Sequence, residues 1–294
     1  MRKNVRYIIP FLLLSLAVAM LAASSMSAGN SAEKFTFVVF GDNRPSRSSL
    51  PQPTAFKRIL KEINAHNPAF TVNTGDAIYG SSKKSRTQEQ YKDYTETIAS
   101  LLKAKVYLAI GNHEIHGSRS NQEFFAEKLG NLYYSFNHGD SHFIVLDSEY
   151  VGEAGKITGK QLEWLKDDLE KSRNARHKFV FFHRPMYPVD GHIGSSLDKY
   201  PKERDALHNL FIRNRINTVF AGHEHLLSHG TRNGVHYVIT GGGGAPLYPS
   251  LKGEGDFYHY VVVSVNGDKV DMKAIKLGMR GKPDETIPLG SSTR

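Results

Sequence analysis

The sequence predicts an α/β fold in a single domain, with mixed parallel and antiparallel pairing in its sheets. Short runs rich in β-branched and aromatic residues, such as 35–40 and 218–221, are typical of buried strands. Between such runs, apolar residues recur at helical spacing, as in the segment 56–63. This alternation continues along the chain with no internal repeat and no linker that would divide it.

The first half of the chain predicts three strand–helix units and a hairpin. The strands lie at 35–40, 70–73 and 106–110. The helices that follow them lie around 56–63, 91–102 and 124–129, and Gly130 ends the third. A hairpin is predicted from 133–136 and 142–146, with Gly139 and Asp140 at its turn.

The second half predicts further strands and two helices. Thr158 and Gln161 have the spacing of a capping box for a helix that carries Leu162, Leu165 and Leu169. Strands follow at 179–182, 218–221, 236–240, 258–265 and 270–275, with a helix at 207–211. After Leu277 the sequence is polar and contains Pro and Gly, so 278–294 is predicted to be a fraying tail and 33–277 the folded domain.

The N-terminus has the three parts of a secretory signal peptide. Arg2, Lys3 and Arg6 precede an apolar run at 7–23, and small residues follow as far as Ala28. We therefore predict a signal peptide at 1–28, with its cleavage site approximate, and an exported protein that is periplasmic or secreted. A permanent N-terminal anchor helix is the alternative. No stop-transfer charge cluster follows the run, which favours cleavage and a mature chain without membrane contact.

The amino-acid composition excludes several kinds of metal site and catalytic nucleophile. The 294 residues include 14 His and no Cys, which excludes disulfide scaffolds, zinc–thiolate sites, iron–sulfur clusters and thiol nucleophiles. A metal could be held only by His, Asp, Glu, Asn or Tyr. The formal net charge of +9 suits an anionic substrate, but it does not by itself indicate nucleic-acid binding. No Gly-x-Ser-x-Gly motif is present, which argues against a serine hydrolase.

Polar residues directly follow five of the predicted strands, and in four of these segments a glycine comes immediately before the polar residue. Ligands of α/β sheets bind outside the carboxyl ends of the strands. Carboxylate, amide and imidazole donors suit divalent and trivalent metals, and two metals that share a carboxylate can clamp a phosphoryl group. The sequence therefore predicts a metal site built from Asp42, Asp76, Asn112, His183, His223 and His225.

The ordered series Gly-Asp, Gly-Asp, Gly-Asn-His-Glu, His and Gly-His-x-His, within residues 35–225, resembles the calcineurin-like metallophosphoesterases. The resemblance implies a four-layered α/β/β/α sandwich with two metal ions at the strand ends. It implies that Asp76 bridges the metals and that His113 contacts the phosphate or protonates the leaving oxygen. It further implies that one metal is completed by Asn112, His183 and His223, and the other by Asp42 and His225.

One position departs from the common family pattern, in which the first motif is Asp-x-His. Here Arg44 stands at the His position, and a guanidinium cannot ligate a metal. Tyr79 lies three residues after Asp76, and this Asp-x-x-Tyr spacing resembles the purple acid phosphatases, in which a tyrosinate binds ferric iron. That resemblance favours iron with zinc or manganese. If Tyr79 is an ordinary loop aromatic, manganese or zinc alone is expected.

Three neighbouring residues leave alternatives open. The planar fork of Arg44 suits phosphate oxygens, but it could instead form a salt bridge to a nearby carboxylate. His192 follows His183 in a glycine-containing loop, where it could reach substrate or be solvated. Glu114 could orient His113 or lie at the surface.

These observations predict an exported, metal-dependent phosphoesterase that acts on a small phosphorylated substrate. A metal-bound hydroxide would attack phosphorus in line, with His113 assisting the leaving group. One alternative is a phosphodiesterase or nucleotidase that uses manganese or zinc without a tyrosine ligand. Another is a secreted binding protein on the same fold that lost turnover through the His-to-Arg change at position 44.

Overall fold

The computed structural model describes residues 34–248, 255–278 and 282–293, all within one compact unit, Glu33–Arg294. The predicted signal peptide at 1–28 lies outside the described residues. Within the described ranges, no helix combines the length and the apolar character needed to cross a membrane.

The described residues contain twelve strands and six α-helices, connected by loops and two short 3₁₀ helices. The strands are β1 Lys34–Phe40, β2 Phe70–Asn73, β3 Val106–Leu108, β4 Tyr134–His138, β5 Ser141–Val145, β6 His177–Phe181, β7 Thr218–Ala221, β8 Leu227–Arg232, β9 Val235–Thr240, β10 His259–Asn266, β11 Lys269–Lys276 and β12 Glu285–Thr293. The helices are α1 Thr54–Ile63, α2 Lys84–Leu101, α3 Asn112–Ile115, α4 Arg119–Lys128, α5 Gly159–Lys171 and α6 Pro201–Arg213.

The strands form two six-stranded sheets, ordered β12-β11-β10-β1-β2-β3 and β4-β5-β6-β7-β9-β8. Strands β1, β2 and β3 pair in parallel, as do β5, β6, β7 and β9, whereas the remaining pairs are antiparallel. Of the strands that precede the predicted metal ligands, β1, β2, β6 and β7 lie inside their sheets and β3 lies at an edge.

Apolar side chains fill three layers between and outside the sheets. Between the sheets, Phe37 stacks on Phe70 at 5.4 Å and meets Phe143 edge-on at 5.3 Å. A second cluster packs α1, α2 and α4 on the first sheet, and a third packs α5 and α6 on the other. Helices thus cover the outer face of each sheet, and the predicted four-layered sandwich is confirmed.

Three local expectations differ from the structure. Residues 285–293 do not fray, because β12 pairs along the length of β11. The strand β8, which pairs with β9, was not predicted, because four of its six residues are exposed and lack an apolar pattern. The capping box was wrong: the Thr158 hydroxyl donates to Glu153, and Gln161 instead exchanges two hydrogen bonds with the backbone of Asp147.

Candidate metal centre

Backbone hydrogen bonds join the loops that leave the central strands. The N–H of Asp42 donates to the carbonyl of Gly75 at 2.9 Å, which joins the loop after β1 to the loop after β2. The N–H of Gly222 donates to the carbonyl of His183 at 2.9 Å, which joins the loops after β6 and β7. Across the two sheets, the N–H of His223 donates to the Asp42 carboxylate at 3.0 Å. The strand ends therefore converge on one place.

The backbone turns sharply at three of the predicted ligands. Asp42, Asp76 and His223 have φ values of 56°, 55° and 71°, in the left-handed region that non-glycine residues adopt infrequently. The turn after β7 also needs a glycine for space, because a Cβ at Gly222 would lie 2.2 Å from Asp42 Oδ2. These backbone conformations place the polar side chains of the predicted ligands at the strand ends.

The polar contacts of His183 call for a cation. Its Nδ1–H donates to the carbonyl of Thr74 at 3.0 Å, so the neutral ring has its lone pair at Nε2. That Nε2 faces two oxygen acceptors, Asn112 Oδ1 at 3.0 Å and Asp76 Oδ1 at 3.3 Å, and it also lies 3.1 Å from Nδ1 of His223. Acceptors that face one another repel unless a proton or a metal ion lies between them.

A second pair repeats this pattern. The Nδ1–H of His225 donates to the carbonyl of Pro246 at 2.6 Å, which leaves Nε2 directed towards Asp42 Oδ1 at 3.5 Å. Ligand atoms of Asp42, Asp76 and His183 all lie within 4.8 Å of one another. The buried oxygen and nitrogen donors therefore fit a metal ion. The structure brings together Asp42, Asp76, Asn112, His183, His223 and His225.

His113 and Tyr79 border this cluster. The Nδ1–H of His113 donates to the carbonyl of Tyr79 at 2.5 Å, and its Nε2 lies 3.8 Å from Asp76 Oδ2. The ring of Tyr79 packs edge-on against His113, with centroids 5.6 Å apart. Ligation of a metal by Tyr79 stays a prediction.

Arg44 lies against the same carboxylate. Its Nε is 3.7 Å from Asp76 Oδ2, and its guanidinium carbon is 5.8 Å from the ring of Tyr79. The side chain is buried, yet Nε has no hydrogen-bond partner in the described part of the chain. Arg44 thus contacts a site carboxylate and still has a buried donor for a further oxygen.

The charges of the cluster shift its pKa values in opposite directions. Burial raises the pKa of Asp76, but the positive charges of His183, His113 and Arg44 outweigh it, so the pKa is lower than usual. Burial lowers the pKa of His183, but the carboxylates of Asp76 and Asp42 raise it above its ordinary value. The carboxylates of Asp76 and Asp42 thus make the position next to His183 favourable for positive charge.

Glu114 organises the loop that carries Asp76, a role absent from both sequence-based interpretations. Its buried carboxylate accepts backbone N–H bonds from Gly111 at 2.7 Å, Asp76 at 2.8 Å, Ala77 at 2.7 Å and Ile78 at 3.2 Å. Burial, followed by the charge of Asp76, raises its pKa to about 7. The sequence signal was its position three residues after Gly111, from which a carboxylate can accept the N–H of the residue that precedes a helix.

Arg184 and Glu149 also escaped the sequence analysis. Arg184 follows His183 directly, and its Nε donates to the buried carboxylate of Glu149 at 2.7 Å. Its Nη1 lies 3.3 Å from Nε2 of His223. This ion pair therefore supports the outer side of a predicted ligand.

Two aromatic rings cover the ligand histidines after β7. His192 packs against His223 with ring centroids 3.8 Å apart, so it lies at the cluster rather than in open solvent. Tyr248, which the sequence did not single out, stacks on His225 at 4.4 Å. Both rings therefore border the space next to the predicted ligands.

Comparisons with known proteins agree with this geometry. The family model described as calcineurin-like phosphoesterase matches residues 35–227. The chain is 28% identical over 203 residues to serine/threonine-protein phosphatase CPPED1 of Homo sapiens, and the match covers 65% of each chain. It is 30% identical over 172 residues to purple acid phosphatase 23 of Arabidopsis thaliana, covering 54% of this chain and 36% of that protein. Both alignments span less than two thirds of the relative's length.

A solved structure adds evidence on the fold alone. A dimetal phosphatase from Danio rerio superposes with a TM-score of 0.61 at 15% identity, and the match covers 87% of this chain and 99% of that one.

Proposed function

Because the chain belongs to the calcineurin-like phosphoesterase family, we propose that it hydrolyses phosphate esters at a centre of two metal ions. The observation that carries this proposal is the convergence of ligand-type atoms on Nε2 of His183, which lies 3.0 Å from Asn112 Oδ1, 3.3 Å from Asp76 Oδ1 and 3.1 Å from Nδ1 of His223. Imidazole, carboxylate and amide donors gathered at one buried point suit a metal ion.

The cluster offers two groups of donors that share Asp76. Bound there, two metal ions would supply an activated water and would neutralise negative charge on the phosphoryl oxygens. Tyr79 is proposed as the additional ligand of an iron ion, with zinc or manganese at the other position. The proposed ligands are Asn112, His183 and His223 on one side, Asp42, Tyr79 and His225 on the other, and Asp76 between them.

Two further side chains would act on the substrate itself. Nδ1–H of His113 is fixed by the carbonyl of Tyr79, so Nε2 is the atom that would give a proton to the leaving oxygen from the doubly protonated ring, which then becomes neutral. The unpaired Nε of Arg44 can donate to a phosphoryl oxygen, which a guanidinium binds in a charge-assisted hydrogen bond.

The substrate class and location follow from the sequence. We propose a small phosphorylated substrate, because the net charge, +9 for the whole chain and +6 without the three basic residues of 1–28, favours anions and no nucleic-acid motif accompanies it. We also propose that the protein is exported, to the periplasm or beyond the cell, because residues 1–28 have the composition of a signal peptide. Detection of the mature chain in the periplasmic fraction would support export, whereas retention in the cytoplasm would contradict it.

Hydrolysis and metal content together test the mechanism. The mature protein, loaded with iron, zinc or manganese, should hydrolyse 4-nitrophenyl phosphate, and elemental analysis should give about two metals per chain. Asp76→Asn and His183→Ala should abolish activity, while His229→Ala, a histidine in β8 outside the cluster, should not. Activity that survives both site substitutions would refute the mechanism, and assaying bis(4-nitrophenyl) phosphate in parallel separates monoesterase from diesterase.

Arg44 and Tyr79 need separate tests. Arg44→Lys keeps the charge but removes the Nε donor, so we expect about tenfold lower kcat/KM with unchanged metal content. Loss of metal would indicate that Arg44 instead supports Asp76. Tyr79→Phe should lower iron binding and remove any visible absorption of the iron-loaded protein, whereas an unchanged spectrum would exclude Tyr79 as a ligand.

A further inference from the structure

Three of the four most exposed large apolar side chains lie in the two loops that carry His192 and Tyr248, beside the metal centre. Within the described ranges, the large hydrophobic residues with the greatest exposure are Leu50 at 46%, Val189 at 36%, Ile193 at 62% and Tyr248 at 41%. Val189 and Ile193 flank His192 in the loop after β6, and Tyr248 lies in the loop after β9. Clustered exposed apolar groups mark binding surfaces, whereas scattered ones need no explanation.

The rings of this surface are held in a defined arrangement. Tyr248 stacks on His225 with an interplanar angle of 12° and lies 6.3 Å from the ring of His192. His192 in turn packs on His223. The two rings therefore adjoin the predicted ligands, and Ile193 directly follows His192 in the chain, so a molecule bound at the metals can extend to this loop.

Glu224 fixes the loop that carries Val189, His192 and Ile193. Glu224 lies between the predicted ligands His223 and His225 in the sequence, and its side chain is buried. Its carboxylate accepts hydrogen bonds from the N–H groups of Val189 and Asp190 at 2.8 Å. The N–H of His192 also donates to it at 3.4 Å. The loop is thus tied to the same turn that supplies two ligands, which keeps its apolar side chains in place beside the site.

We propose that Val189, Ile193 and Tyr248 form a subsite for the alcohol part of the substrate, and that it takes an aromatic or other apolar group. This inference rests on the proposed hydrolysis of phosphate esters. Aliphatic side chains offer no hydrogen bonds to the hydroxyls of a sugar or of glycerol, whereas they and a Tyr ring pack well against an aryl group. Glu224 is the positioning residue of this subsite.

Kinetics on two esters test the subsite. Ile193→Ser should raise KM for 2-naphthyl phosphate about fivefold, because the exposed aliphatic contact is lost, and should leave kcat/KM for glycerol 3-phosphate unchanged. Ile193→Leu should restore the KM. Leu50→Ser is the matched control, since Leu50 is similarly exposed but lines a separate groove with Arg86 and Gln90. Equal changes with both esters, or no change with the naphthyl ester, would overturn the inference.

A binding measurement separates this inference from the proposed function. Calorimetry of the metal-loaded protein with 2-naphthylmethylphosphonate and with inorganic phosphate requires no turnover. If the wild-type protein hydrolyses no ester, the proposed function fails, and the phosphonate then decides the subsite. About fivefold weaker phosphonate binding by Ile193→Ser, with phosphate binding unchanged, would support the subsite. Equal binding of the phosphonate by both proteins would refute it.

Discussion

Replacing Glu114 by glutamine removes half of the acceptors that hold the Asp76 loop. The Glu114 carboxylate accepts four backbone N–H bonds, two at each oxygen. Glutamine keeps one oxygen, and its amide NH₂ faces the other two N–H groups, so donors oppose donors in a buried place. We therefore expect Glu114→Gln to destabilise the fold and to displace Asp76 from the metal site.

The size of the effect follows from the bonds lost. A hydrogen bond to a charged acceptor contributes about 1.5–3 kcal/mol, so two lost bonds correspond to about 3–6 kcal/mol. This is a large part of the free energy of unfolding of a typical domain, about 5–15 kcal/mol. Displacement of a group that supports a metal ligand commonly lowers metal affinity about 10–100-fold.

Urea unfolding of the metal-free protein and metal titration are the assays. They should be run at pH 8, because the pKa of Glu114 is raised to about 7 and the carboxylate must be charged. Glu123→Gln, an exposed position on α4, is the matched control. If Glu114→Gln unfolds within about 1 kcal/mol of the wild-type protein and binds metal equally well, the assigned role of Glu114 is refuted.

Two further substitutions probe the turn after β7 and the buried His259 in β10. Gly222→Ala should lower metal affinity at least tenfold, because its Cβ would lie 2.2 Å from Asp42 Oδ2, while Gly230→Ala, with open space around it, should not. Burial lowers the pKa of His259 from the ordinary 6.5 to about 4, so the folded protein binds fewer protons than the unfolded chain between these values. Unfolding free energy should therefore fall by up to about 3 kcal/mol as the pH falls from 6.5 to 4, and a His259→Gln variant should show a shallower fall in urea titrations.

The features best predicted from the sequence are the buried strands and the ligands at their ends, because both leave a local pattern in the sequence. Buried central strands such as β2 and β7 read as short apolar runs, and the predicted ligands follow directly on such runs. Edge strands carry a weaker signal: β8 and β12 are largely exposed, and their partners hold them through backbone hydrogen bonds. For that reason β8 was not predicted and β12 was predicted to fray.

Supporting residues depend on contacts that are distant in sequence. Glu114 bonds to Asp76, 38 positions away, and Glu224 to Val189, 35 positions away. The spacing of Glu114 from Gly111 indicates only one of its four backbone bonds, and nothing local to Glu224 indicates that it is buried against backbone donors. The ligand types could therefore be predicted from the strand-end pattern, whereas the residues that fix their positions could not.

At the left-handed turns of Asp42, Asp76 and His223, selection for stability and selection for the chemistry of the site favour different residues. Each such conformation costs a non-glycine residue about 1 kcal/mol or more, which the rest of the structure must offset. Replacing these residues with glycine would relieve that cost and remove side chains of the predicted metal site. Selection for stability alone would therefore favour glycine at these positions, so non-glycine residues that persist there would record selection for the proposed site.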